Sequence, residues 1–216
     1  MSVFRYIADH WDTLGPQVTT HVLIVVISVA IAAAVGLALG VAAARSELVG
    51  TVVVAMTSTI ITIPSFALFG LLTIWVGLGN PPVIVGLVMY ALLPISRNTL
   101  AGIQAVDPAV EVAARGMGMN GVQLLTRVQL PLAVPVILAG LRQATVMVVA
   151  IATVGATVGA NDLGQPLLQA VGRSTGTLDA VLAGIIPVAA IGILADLALA
   201  TVQRALSGGR VAVAAT

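Results

Sequence analysis

The chain has 216 residues, of which 59% are hydrophobic and 8% charged, with a mean hydropathy of +1.14 and a formal net charge of +1. Soluble domains carry about 25% charged residues, so a surface this poor in charge must face lipid, and the near-neutral balance makes no case for nucleic acid. All nine cationic side chains are Arg and there is no Cys, which excludes disulfides, thiolate metal sites and thiol nucleophiles.

The first twenty residues include Asp9, His10, Trp11, Asp12 and Pro16, which is not a signal-peptide pattern. The first membrane helix is therefore expected to serve as the targeting signal. His10 and His21 form no recognisable ligand set, and no metal site is expected. A spanning helix needs about 20 apolar residues. Five stretches meet this: residues 22–44, 52–76 with Pro64 inside, 83–100 with Pro94 and Arg97 toward its end, 141–158, and 178–202 with Pro187 near its middle. No alternating apolar and polar runs suggest a barrel. The expected fold is all-α, a polytopic membrane bundle of five spans, or six if the second or last stretch is split.

Residues 130–140 are apolar but short and hold Pro131 and Pro135, so they are read as an interfacial lead into the fourth helix. Gly36 with Gly40, and Gly155 with Gly159, place pairs of glycines where helix backbones can approach. Arginine placement orients the chain. With the N-terminus outside, Arg45, Arg97, Arg115, Arg127, Arg142, Arg204 and Arg210 are cytoplasmic, and Arg5 and Arg173 lie outside.

Residues 107–131 then form the one sizeable inner loop. Asp107 and Pro108 open a helix over 109–117, and Gly118 fits a left-handed cap. Asn120 caps a second helix, 121–129, which Pro131 ends. Val110, Met117, Met119, Val122, Leu124 and Leu125 give this small unit an apolar face. Either a partner or its own membrane helices must cover that face, since short isolated helices are marginal in water.

The stretch EVAARGMGMNGVQLLTRVQLP, Glu111 to Pro131, resembles the cytoplasmic loop of ABC-importer permeases, with the pattern E-A-A-x-x-x-G, nine residues, then I-x-L-P. Ala113, Ala114 and Gly118 match, Val128 takes the Ile position, and Leu130-Pro131 closes the motif. The motif's Glu falls at Val112, one residue after Glu111. One step turns a side chain about 100° around the helix, so Glu111 is expected to pair with Arg115 at i,i+4 and is kept as a docking candidate. The segments from Ile63 to Ala109 and from Ala152 to Gly164 resemble permeases of the osmoprotectant branch, which import glycine betaine, carnitine, choline or proline. Where relatives often have Gly-Gly-Leu-Gly, this chain has Asn161-Asp162-Leu163-Gly164.

The resemblance implies a type I importer fold, one permease domain over 1–216, and a loop over 107–131 that docks on an ATPase. It also implies two ATPase copies, a second permease chain, identical or homologous, and an extracytoplasmic substrate-binding protein. The P-loop needs a Lys and this chain has none, so ATP and Mg are expected on the partner ATPase, with no cofactor bound here and no enzymatic activity. Phe66, Phe69, Trp75 and Tyr90 are candidates for the translocation path. Arg142, placed at the cytoplasmic start of the fourth helix, and Asp196 are a candidate gate pair. The alternatives are an importer for another small solute such as an amino acid, and a secondary transporter, for which the central turns offer no charges.

Overall fold

In lipid every backbone amide must be satisfied within its own segment, and the long Val, Ile, Leu and Ala runs offer no polar side chain to compete, so the chain winds into helices. The computed structural model describes residues 3–172 and 178–207, and all their regular structure is helical. Arg173 and Arg210 lie outside the described residues. A short α1 (Val3–Asp9) precedes α2 (Trp11–Ala43), α3 (Glu47–Thr62), α4 (Ser65–Val76) and α5 (Asn80–Gln104). Then come α6 (Pro108–Gly116), α7 (Gly121–Leu124), α8 (Leu130–Ala152), α9 (Gly164–Gly172) and α10 (Leu178–Ser207). A π-turn, Leu125–Gln129, joins α7 to α8, and a 3-10 turn, Thr153–Val158, extends α8.

Among the described residues four helical segments are long and apolar enough to cross a membrane: α2, α5, residues 121–158 and α10. A fifth crossing results if α3 and α4, bent by 100° at their break, count as one span. The bend has a local cause. Ile63 precedes Pro64 and is extended at φ −74°, ψ 127°, the conformation a following proline imposes. Tyr90 then donates its hydroxyl to the Ile63 carbonyl, tying the corner to α5.

The α5 helix is the centre of the bundle, packed between α2 and α8, with α3 and α4 on its flank; α10 lies against α8. Ile24, Phe69, Val83, Leu87, Ile95 and Val148 are fully enclosed. The α2–α5 contact depends on the first glycine pair. A Cβ on Gly36 would stand 2.8 Å from an Ile95 methyl, and one on Gly40 would stand 2.4 Å from the Thr99 Cβ. The second pair does not line one helix face, because residues 153–158 are a 3-10 turn that Gly159 ends at φ 91°.

Two boundaries differ from the sequence reading. The first long helix begins at Trp11 rather than near residue 22. Residues 130–140 are not an interfacial lead; they are the first half of α8, continuous with the span. Pro131 sits in the first turn of α8, where prolines are tolerated. Beside Pro135 the α8 backbone gains an outside donor, as Gln203 Nε2 reaches the Pro135 carbonyl at 2.8 Å.

Candidate functional site

The segment 107–131 folds as a tight corner whose second arm continues into α8. Asp107 caps α6, its Oδ1 accepting from the Ala109 amide at 2.8 Å. At the other end Gly118 donates to the Arg115 carbonyl at 2.9 Å and Met119 to the Ala114 carbonyl at 3.2 Å. These two bonds define a Schellman termination with glycine in the left-handed position, and Gly118 has φ 84°. Ala114 is buried under the corner while Ala113 is exposed. Asn120 and Gln123 form a reciprocal capping box, each side chain accepting from the other's amide at 2.9 Å.

Glu111 does not pair with Arg115. Its Oε1 accepts from Gln129 Nε2 at 2.6 Å, a strap between α6 and the π-turn. The extra residue of the π-turn and the uninterrupted run into α8 bring Gln129 back over α6, a geometry that the expectation of a second helix ending at Pro131 had missed. Val128, Leu130 and Pro131 are half-buried along this junction. Leu124 is buried, whereas Val112, Met117 and Val122 are about 70% exposed. The corner stands against the ends of α2 and α5 across a cleft of about 500 Å³, lined in part by Arg45, Asn120, Val122 and Gln129.

Arg142 and Asp196 meet in a bidentate pair, Nε to Oδ1 at 2.9 Å and Nη2 to Oδ2 at 2.8 Å. Arg142 Nη1 also donates to Gln203 Oε1 at 2.9 Å. Through Gln203 and the Pro135 carbonyl, α8 and α10 are linked at two levels. Arg142 lies near the midpoint of the 23-residue α8, not at its start, because residues 130–140 are helical; the span therefore does carry a charge in its central turns. Of the aromatic candidates, Phe69 and Tyr90 are enclosed in the core, while Phe66 and Trp75 are exposed on α4. His10 bonds the Tyr6 carbonyl and stacks on the Tyr6 ring, and His21 is enclosed against the Val149 carbonyl.

The sequence matches, over residues 34–208, the family described as the binding-protein-dependent transport system inner membrane component. The chain belongs to this family. The permease is 42% identical over 211 residues to the glycine betaine/carnitine/choline transport system permease protein OpuCD of Bacillus subtilis (strain 168), covering 96% of this chain and 92% of that one. It is 36% identical to the carnitine transport permease protein OpuCD of Listeria monocytogenes (96% and 94% covered) and 33% identical to the osmoprotectant import permease protein OsmW of Salmonella typhimurium (96% and 98% covered). Its fold is similar to that in an inward-facing structure of the MetNI methionine ABC transporter, with a TM-score of 0.81 at 22% identity over 92% of this chain and 98% of that one. As a membrane component of an ABC transporter, the permease works with a separate ATPase and a binding protein.

Asp162 of the permease escaped the sequence reading except as a departure from Gly-Gly-Leu-Gly. It lies in the connector between the 3-10 turn and α9, fully enclosed, with Oδ1 accepting from the Gly164 amide at 2.7 Å. Oδ2 has no hydrogen-bond partner among the described residues and faces Gly155. Burial pushes this carboxyl up to about 7, against the opposing pull of the Gly164 amide. A lone acidic residue replacing glycine in a turn that relatives keep small was the available signal; its burial was not legible. Gln129 and Gln203, which complete the strap and the inter-helix network, were missed because their partners lie 18 and 61 or more residues away.

Proposed function

We propose that this permease is the membrane subunit of an ATP-driven importer for osmoprotectants, the class comprising glycine betaine, carnitine, choline and proline. Two ATPase subunits bind ATP and Mg on the inner side. A second permease chain, identical or homologous, completes the path through the lipid, and an extracytoplasmic binding protein delivers the solute. The N-terminus lies outside and the C-terminus inside, so the 107–131 corner faces the cytoplasm.

The observation that carries the reading is a rigidly terminated corner with an exposed apolar face, built at the end of a helix that continues into the membrane. Val112, Met117 and Val122 supply the face. The Asp107 cap, the Gly118 termination and the Glu111–Gln129 strap keep its shape. ATPase closure moves the corner, and α8 carries the motion inward by alternating access. The Arg142–Asp196–Gln203 network holds α8 to α10 as a gate that must re-form in each cycle. Phe66 and Trp75 offer exposed aromatic faces to a quaternary ammonium, with Phe69 and Tyr90 supporting them from within. The cargo class is supported by the similarity of the chain to the glycine betaine/carnitine/choline and osmoprotectant permeases named above.

The test replaces residues 107–131 with a Gly/Ser tether in the reconstituted complex. Solute uptake and co-purification of the ATPase are both expected to be lost. Normal uptake through the tethered variant would remove the basis of the mechanism.

A further inference from the structure

Arg97 is a further charge inside a spanning helix, and it has a different setting from Arg142. It lies about two turns, roughly 10 Å, before the end of α5, is exposed, and makes no hydrogen bond or ion pair among the described residues. A guanidinium inside a span is costly in hydrocarbon and is found facing protein or water instead. The face of α5 that carries Arg97 is therefore not the lipid face.

That face holds a built concavity. Arg97, Asn98 and Gln143 line a cavity of about 310 Å³ together with Ile61, Leu93 and Met147, within the range of roughly 300–1,000 Å³ typical of small-molecule sites. Asn98 is fixed in place, because its Nδ2 donates to the Pro94 carbonyl at 2.8 Å and Gly140 of α8 presses against it. A Cβ on Gly140 would come within 2.5 Å of the Asn98 Cβ, so α5 and α8 are in closest contact beside the cavity. Gln143, one turn beyond Gly140, presents an amide with no partner among the described residues. The polar side of the cavity thus has a free guanidinium fork and a free amide, and Ile61, Leu93 and Met147 are apolar.

We propose that Arg97, with Gln143 and Asn98, is a carboxylate-recognising station on the translocation path. The occupant is a compact zwitterion whose carboxylate lies on the guanidinium and whose methylated ammonium lies against the apolar wall. The guanidinium fork matches a carboxylate in bidentate geometry, and the same positive charge repels a cation that lacks one. Resting on the osmoprotectant reading above, this narrows the cargo to carboxylate-bearing solutes such as glycine betaine or carnitine and disfavours choline.

The test uses the complete transporter, with its ATPase and binding protein, in proteoliposomes. Import of glycine betaine, carnitine and choline is measured per ATP hydrolysed for the wild type, Arg97→Gln, Arg97→Lys and Gln143→Ala. In Arg97→Gln the import of carboxylated solutes per ATP is expected to fall roughly tenfold, the equivalent of losing one charge-assisted hydrogen bond. Arg97→Lys restores part of it, and any choline import per ATP does not fall. A purely structural role for Arg97 scales import and ATP hydrolysis together, leaving the ratio unchanged, and that result overturns the proposal. Should Arg97→Gln fail to assemble, Gln143→Ala decides: a selective fall for the carboxylated solutes supports the station, and an equal or absent effect overturns it. A wild type that imports choline but neither zwitterion also overturns the station while leaving the osmoprotectant reading intact. Import of none of the three by an active ATPase complex overturns both.

Discussion

Substitution of Gly118 isolates the geometry of the corner from its contacts. At φ 84° an L-residue with a side chain costs about 1–2 kcal/mol, and a β-branched residue costs more. No atom other than the chain neighbours lies within 4 Å of a Cβ built on Gly118, so the penalty is conformational and not steric. Relief requires residue 118 to leave the left-handed region, which breaks the bonds from Gly118 to Arg115 and from Met119 to Ala114. A shift of 1–2 kcal/mol changes the share of formed corners by roughly 5–30-fold. ATP-driven uptake should therefore rank Gly118 above Asn, then Ala, then Val, because Asn tolerates the left-handed region. Purified yield and thermal midpoint should change little, since the corner lies apart from the enclosed core. Gly116 provides the internal control: its Cβ position is equally open, but its backbone is helical. Gly116→Ala should stabilise α6 by about 0.5–1 kcal/mol and leave uptake intact. Equal uptake in Gly118→Val and Gly116→Ala would refute the claim that the left-handed termination is what transmits force.

Two further outcomes follow from the membrane half of the site. Arg142→Asp and Asp196→Arg should each abolish uptake, and the double exchange should restore part of it, measured as transport in reconstituted vesicles; a double variant no better than either single one removes the gate role. Asp162 makes stability depend on pH. Its carboxyl is raised in the folded chain to about 7 from 3.8, so its contribution is full below about pH 4 and is lost as pH rises to about 7, at about 1.4 kcal/mol per unit. The thermal midpoint of the wild type should fall between about pH 4 and about pH 7, and Asp162→Asn should flatten that slope and be the more stable form at the upper end. A slope unchanged by the substitution assigns the pH dependence to other groups.

Much of the corner was legible because its signals are local. Asp107 before Pro108, Gly118 after a helical run and Asn120 before the next turn each act within four residues, and each has its expected conformation. The five-span count was legible from apolar length, although the second span is a bent pair. What was not legible depends on distant partners. Pro131 was read as a helix terminator, and with Pro135 as barring a span, but Pro131 sits in the first turn of α8 after a π-turn, and Gln203 from α10 donates to the Pro135 carbonyl. The same misreading put Arg142 at a helix end. The choice of Gln129 over Arg115 by Glu111 follows from the path of the chain after residue 124, which no spacing rule encodes.

The corrected α8 changes the mechanics more than it changes the span count. A second helix ending at Pro131 would have left the corner joined to the membrane by an irregular lead, and a flexible joint absorbs displacement. Residues 121–158 instead form unbroken helical backbone from the Asn120 cap to the 3-10 turn. A push on Val122 is therefore applied to the same rigid element that carries Arg142 to Asp196 and Gly140 to Asn98. At its far end the Val158 carbonyl accepts from the Gly79 amide at 2.9 Å, tying α8 to the α4–α5 connector. The Arg142–Asp196 pair, the wall of the Arg97 cavity and that far connector are all joined to this one helix. Tilting of this helix would alter all three together, as the proposed alternating access requires.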